Sequence, residues 1–361
     1  LPEGNCEAPE APNGSWRPIA DPGWGIVTTG LAHAWSGTEL LIWGEATQED
    51  EDGHPITAAA YSPEAGTWRN VSPRGVLEGG RYAGSVWTGS EWIVWGGLSP
   101  QDPEAGDEYR VVDGGARLDP ETGEWTPVAA GPLGGRFGFG TVWTGSELLV
   151  WGGFDAKGEL TAEDVYGAAY DPASDTWRTL NASEAPRVNL NPIWTGSHMI
   201  LWGALPEPIY AAKYDPARDV WSPLSTSGAP SPSGGALWTG REMLALAYVA
   251  ETWALYRAGA YNPLTDTWRT LSTSGAPPSS REVWTGERVL TWGDPAGCAL
   301  VGSYDPETDA WSRWMGPNPP TPRERPVLVW TGNSLLVYGG RGGASGEERF
   351  SDGAEFVPDG P

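Results

Sequence analysis

The sequence predicts an all-β protein in which seven four-stranded units share one continuous core. Three observations predict it. Two short apolar runs flank a Trp-Thr-Gly or Trp-Ser-Gly turn seven times, at Trp35, Trp87, Trp143, Trp194, Trp238, Trp284 and Trp330. Successive copies stand 44 to 56 residues apart, a period that marks a repeat architecture rather than a string of separate domains. Between the copies no segment carries the 3.6-residue apolar period of a helix; each apolar run is short and bounded by turn residues.

The third copy, Arg136 to Leu180, displays the unit. A run of small and apolar residues ends at Trp143, and Thr144-Gly145-Ser146 turns the chain, with Gly free to take positive φ. Leu148 to Trp151 is the second strand, closed by Gly152-Gly153. Tyr166 to Tyr170 is the third, Asp171-Pro172-Ala173-Ser174-Asp175 a compact turn, and Trp177 to Leu180 the fourth. The third-to-fourth hairpin recurs with its aromatic or Leu seven residues before a Trp, as Tyr61…Trp68, Leu118…Trp125, Tyr170…Trp177, Tyr214…Trp221, Tyr261…Trp268 and Tyr304…Trp311. The last copy stops at Phe356-Val357-Pro358 without that Trp, and the missing outer strand stands at the other end of the chain, around Trp16.

Four-stranded units repeated about an axis describe a seven-bladed β-propeller, whose ring the N-terminal strand closes without a covalent link, removing an open edge. Small residues near the axis, such as Gly84, Ser85, Gly138, Gly140, Gly234, Gly235 and Ala236, suit crowded inner strands. The expected organisation is a tail at 1–12, then one propeller domain at 13–361. Within it, 13–20 forms the outer strand of blade seven, and blades one to six occupy 21–72, 73–130, 131–182, 183–226, 227–273 and 274–316. Residues 317–361 supply the inner three strands of blade seven.

The Gly doublets after the second strand (Gly96-Gly97, Gly152-Gly153, Gly339-Gly340), together with the Tyr-to-Trp spacing, resemble the kelch-repeat family, including bacterial kelch-like proteins and the central domain of galactose oxidase. The resemblance runs from about residue 13 to the end. It implies the propeller fold and leaves function open, because enzymes, adaptors and sugar-binding proteins share it. Copper radical oxidases of this kind hold copper with His and Tyr and join a Cys to a Tyr. Here His33, His54 and His198 fall in three different blades, so a common copper site is not expected. Sialic acid mutarotases are also kelch-like; no motif specific to them stands in this chain.

The net charge of 22 − 47 = −25 disfavours nucleic acid and anionic membranes as partners and favours a dispersed, monomeric protein. No apolar stretch approaches the roughly 20 residues of a membrane-spanning helix. Two cysteines, Cys6 and Cys298, are either free thiols or one disulfide; the expected bridge accompanies an expected secreted or periplasmic location. No phosphate loop, Cys-x-x-Cys pair or nucleophile elbow occurs, so the reading leans away from an enzyme.

One edge of each blade carries short, nearly uniform turns; the other carries connections of variable length, where function is expected. Two features stand there. Acidic loops, including Asp50, Asp52, Asp102 and Asp107, either hold a hard cation such as calcium or are solvated loops of a very acidic protein. Arginines precede the inner-strand Trp by three to seven residues: Arg81, Arg136, Arg187, Arg281, Arg323 and Arg325. These either ring a channel mouth and hold a carboxylate or other anion, or serve salt bridges between blades. Tyr82 and Phe137 at the same mouth, with Tyr248 and Trp253 of the divergent blade five, are candidate stacking residues or inter-blade packing. The expected function is a binding propeller for a peptide, protein, glycan or small anion. The alternatives are a sugar-acid epimerase or mutarotase, and a calcium-dependent adhesion or scaffold protein.

Overall fold

The structure, a computed structural model, describes residues 13–24, 26, 30–45, 48–78, 80–100, 109–159, 165–186, 192–203, 209–231, 234–249, 252–293, 299–342 and 348–359. The fold is an all-β, seven-bladed β-propeller. Each blade is a four-stranded antiparallel sheet, and no helix occurs among the described residues. Blade three shows the common plan: Gly140–Trp143, Leu148–Trp151, Gly167–Asp171 and Thr176–Thr179, each paired with the next. The sequence placed these strands to within a residue or two.

The chain divides into two compact units. In the unit Trp24–Leu224, which holds blades one to four, the first strands Ala32–Trp35, Gly84–Trp87, Gly140–Trp143 and Pro192–Trp194 lie side by side. In the unit formed by Leu1–Gly23 and Ser225–Pro361, the first strands of blades five to seven do the same: Ala236–Trp238, Arg281–Trp284 and Val327–Trp330. The seventh sheet takes its outer strand, Gly14–Ile19, from the N-terminus and pairs it with Gly353–Pro358, setting Trp16 opposite Phe356. Trp16 is buried against both Phe356 and Trp292, with ring centroids 5.1 and 6.0 Å away.

The second strands are apolar at nearly every position, Thr291 of blade six being polar, because both faces are covered. In Leu148–Trp151, Leu148 and Val150 join Ile93 and Trp95 of blade two, whereas Leu149 and Trp151 join Met199, Leu201 and Trp221 of blade four. Strand alternation thus divides one four-residue run between two cores. Each fully buried large side chain contributes about 1.5–3 kcal/mol of transfer free energy.

The Tyr-to-Trp spacing has a specific physical basis. Asp175 sits in the left-handed region at φ 52° and accepts hydrogen bonds from the Tyr170 hydroxyl (2.6 Å) and the Ala129 N–H (3.0 Å). The indole of Trp177 donates to the carbonyl of the same Ala129 (2.8 Å). One residue at the end of one blade is therefore clasped through both its N–H and its carbonyl by the next blade's turn. The clasp repeats with Tyr214, Asp219 and Trp221 on Asn181, with Tyr261, Asp266 and Trp268 on Ser225, and with Tyr304, Asp309 and Trp311 on Ser272.

Candidate functional site

The arginines preceding the inner strands divide according to their distance from the repeat Trp. Seven residues before it stand Arg136 and Arg323, both fully buried. Arg136 donates to the carbonyls of Gly134, Gly152 and Tyr166 at 3.1–3.3 Å. Arg323 donates in the same manner to the carbonyls of Thr321, Gly339 and Asp352, and pairs with the Asp352 carboxylate at 2.8 Å. These guanidiniums tie the start of the first strand to the ends of the second and third. With no exposed surface, Arg136 cannot serve as the ligand-binding residue that the sequence suggested.

Six residues before the Trp, Arg81, Phe137 and Glu324 form isolated bridges with Leu98, Phe154 and Arg341. The Arg81 guanidinium pairs with Glu45 at 2.8 Å and lies over the Tyr109 ring, so it is locally committed. The ring of Phe137 packs against Phe154. Five residues before the Trp the backbone is left-handed in Gly30, Tyr82, Gly138 and Arg325. For Tyr82 and Arg325 this is a conformation that L side chains rarely adopt, and such outliers cluster at functional positions. Tyr82 is 48% exposed. Arg187 lies outside the described residues, as do Asp102, Asp107, Cys6 and Cys298.

Four of the sequence-predicted residues do come together, in the unit of blades five to seven. Arg281 opens the first strand of blade six; its Nε donates to the Pro326 carbonyl at 3.3 Å. Arg325 stands one residue before that proline, and its backbone N–H donates to Ser280 Oγ at 2.9 Å. Each arginine is therefore anchored to the chain neighbour of the other. The Arg325 guanidinium lies 5.9 Å from the centroid of the Trp253 ring. Trp253 is itself left-handed (φ 53°), and its carbonyl accepts the Ser279 N–H at 3.1 Å. Ser279 Oγ donates to the buried Tyr248 hydroxyl at 3.2 Å.

Sequence reasoning passed over Glu282, the residue that completes this group. Its carboxylate lies where a side chain on Gly235 would stand. Burial raises the pKa of Glu282, and the charge of Arg281 opposes that rise. Arg281 is solvent-accessible but recessed. Crowding by protein lowers its pKa; Glu282 counteracts this and the like charge of Arg325 adds to it. Tyr248 is pushed well above the usual phenol range by burial and by the Glu282 charge. A signal for Glu282 was available: its first strand reads Arg-Glu-Val-Trp where others read Gly-Ser-Val-Trp, Gly-Thr-Val-Trp or Val-Leu-Val-Trp.

Arg281 and Arg325 belong to the minority of described arginines that stand apart from carboxylates, with Arg241, Arg257 and Arg349, and differ from those in lying next to each other. Among the described residues twelve other arginines have a carboxylate within 4.0 Å, whereas Arg281 and Arg325 do not. Grooves of about 540 and 570 Å³ open at the short-turn edges, between blades five and six and between blades one and two. Half of their acidic residues are committed to ion pairs: Glu242 with Arg269, Asp305 with Arg288, Glu39 with Arg69 and Glu91 with Arg117. Neither groove is lined by Arg281 or Arg325.

The acidic hairpin of blade one is likewise closed. Asp50 accepts the N–H groups of Asp52 and His54, and Arg74 pairs with Asp50 at 2.9 Å and Asp52 at 3.0 Å. Among the described residues no group of three or more His, Cys, Asp or Glu could hold a metal ion. His33 is exposed on the first strand of blade one, His54 lies in the hairpin, and His198 bonds Ser197 at 2.8 Å. These donors do not form a copper site. No helix among the described residues is long and apolar enough to cross a membrane.

No family model matches the chain. The fold is similar to that of a fungal alcohol oxidase of the AA5 family in complex with copper. The TM-score is 0.69 at 16% identity, over 96% of this chain and 76% of that one. At that identity the likeness is one of fold. Adagio-like protein 2 of Oryza sativa subsp. japonica is 28% identical over 176 residues, which take in 47% of this chain and 25% of the rice protein.

Proposed function

We propose that this chain is a kelch-type binding propeller that holds an acidic ligand, a carboxylate on a sugar or on a peptide side chain, at Arg281 and Arg325. The observation that carries the reading is the pair itself. Two mutually repelling guanidiniums are held together by backbone anchors and lack a carboxylate partner among the described residues, in a chain that pairs most of its arginines. A bound carboxylate would relieve that repulsion with charge-assisted hydrogen bonds. Trp253 supplies an aromatic face beside the cations, on which the C–H face of a sugar or an aliphatic side chain can rest. Glucuronate, which combines a carboxylate with a sugar ring, is the probe of choice. Calorimetry should give measurable binding by the wild type. Removing charged hydrogen bonds of about 1.5–3 kcal/mol each should weaken it at least tenfold in Arg281→Gln/Arg325→Gln. Equal binding by this variant and the wild type would refute the assignment.

A further inference from the structure

The tryptophan that ends each first strand is only half-buried in all seven blades. At two of these tryptophans the structure opens a groove: Trp284 lines the one between blades five and six, and Trp87 the one between blades one and two. Each ring packs in part against a buried core. The indoles of Trp177 and Trp311 donate to the preceding blade, whereas those of Trp87 and Trp284 donate no hydrogen bond among the described residues.

The two grooves belong to separate units yet share one construction. Ten residues line each, at the same ten positions of the repeat. Trp284 and Trp87, Asp305 and Asp119, and Glu307 and Glu121 correspond in this way. The walls are fixed before any ligand arrives. Asp119 Oδ1 accepts the Glu121 N–H at 2.8 Å, and Asp305 Oδ1 that of Glu307 at 2.9 Å. Arg69 and Arg269 hold Glu39 and Glu242. Above the turn glycines, Gly89 and Gly286, space is open where a side chain would stand. Glu121 and Glu307 are exposed, and their carboxylates have no partner among the described residues.

We infer that these grooves are saccharide sites, each taking a neutral sugar ring whose C–H face rests on the tryptophan and whose hydroxyls donate to the adjacent carboxylates. The volumes of about 540 and 570 Å³ fall within the range of small-ligand pockets, about 300–1,000 Å³. An indole with an unused N–H suits a ligand that is apolar on one face and carries hydroxyls at its rim. A sugar hydroxyl accepts from that N–H and donates to a carboxylate, whereas a cation could use only the carboxylate. Carboxylates outnumber guanidiniums in both linings, which repels an acidic sugar. The grooves thus differ from the arginine pair in the charge of the ligand they take.

NMR of protein with nitrogen-labelled tryptophan indoles tests this with three neutral disaccharides, cellobiose, maltose and lactose. The indole signals of Trp87 and Trp284, assigned from Trp87→Phe and Trp284→Phe, should shift on titration. Saturation transfer should mark the C–H protons of one sugar face. Glu307→Gln, an exposed change that spares the core, should weaken the Trp284 response about tenfold, the loss expected of a charged hydrogen bond, and leave that of Trp87 unchanged. Arg281→Gln/Arg325→Gln should leave both responses unchanged. Silence of both indoles toward all three disaccharides overturns the assignment. So does a Trp284 response undiminished in Glu307→Gln, or an equal response of these indoles to glucuronate or to spermidine. None of these outcomes decides glucuronate binding at the arginine pair, which calorimetry tests separately.

Discussion

Removing the carboxylate of Asp175 isolates the clasp between blades two and three. It holds two donors, the Tyr170 hydroxyl at 2.6 Å and the Ala129 N–H at 3.0 Å. The N–H lies near solvent, so water replaces much of what it loses. Tyr170 is fully buried, so its hydroxyl would be stranded. A hydrogen bond to a charged group contributes about 1.5–3 kcal/mol, and a stranded donor keeps its desolvation cost. Asp175→Ala should therefore lower stability by about 2–3 kcal/mol. Tyr170→Phe removes the donor along with its need for a partner, and should cost only about 0.5–1.5 kcal/mol. Asp175→Gly keeps the backbone relaxed at φ 52° and separates the carboxylate's contribution from conformational strain. The double variant Tyr170→Phe/Asp175→Ala should be little worse than Asp175→Ala alone, because the hydroxyl no longer lacks a partner. Urea midpoints across the cycle provide the test. The pH adds a second check: the Tyr170 hydroxyl, then the Ala129 N–H, hold the Asp175 pKa below its ordinary 3.8. Its stabilisation is present above that value and lost as the pH falls through the lower folded value, so wild type and Asp175→Ala should converge in strong acid. Strict additivity, or Tyr170→Phe costing as much as Asp175→Ala, would refute the clasp.

The buried and exposed arginines should separate in experiment. Arg136→Ala strands the carbonyls of Gly152 and Tyr166 and should lower stability by about 3 kcal/mol or more, measured by denaturant unfolding, with glucuronate affinity of the folded protein unchanged. Glu282 should reveal itself in the pH dependence of stability. Its folded pKa is raised above the ordinary 4.5, so its contribution is most favourable below 4.5 and declines as the pH rises through the folded value. Glu282→Gln should accordingly be more stable than the wild type at neutral pH, with the advantage disappearing in acid; melting temperatures measured across that range check it.

Much of the fold was legible because the repeat enforces it in every copy. In blades three to six the Tyr, Asp and Trp of one turn recur at constant spacing since the Asp and Trp hold one residue of the preceding blade while the Tyr holds the Asp, and changing the spacing would break the clasp. The apolar runs are legible for a related reason: a strand covered on both faces leaves little room for polar residues, Thr291 being an exception. The site is legible only where the copies differ, and there position within the strand entry outweighs residue type. Arg136, Arg81, Arg325 and Arg281 look alike as arginines. At seven residues before the Trp the side chain turns inward onto carbonyls, and at six it joins a bridge and a local ion pair. At five the left-handed backbone throws it outward, and at three it lies in the strand itself. Glu282 follows from the same logic. In the other copies its position carries residues such as Ser85, Thr141, Ala236 and Leu328, which the neighbouring first strand can accommodate. Its carboxylate lies where a Gly235 side chain would stand, as Thr141 lies against Gly84, so the contact is set by two copies at once. The scaffold is thus encoded within each copy and the candidate site in the differences between copies, which is why the blades could be read from the periodicity while Glu282 shows only when the first strands are compared residue by residue.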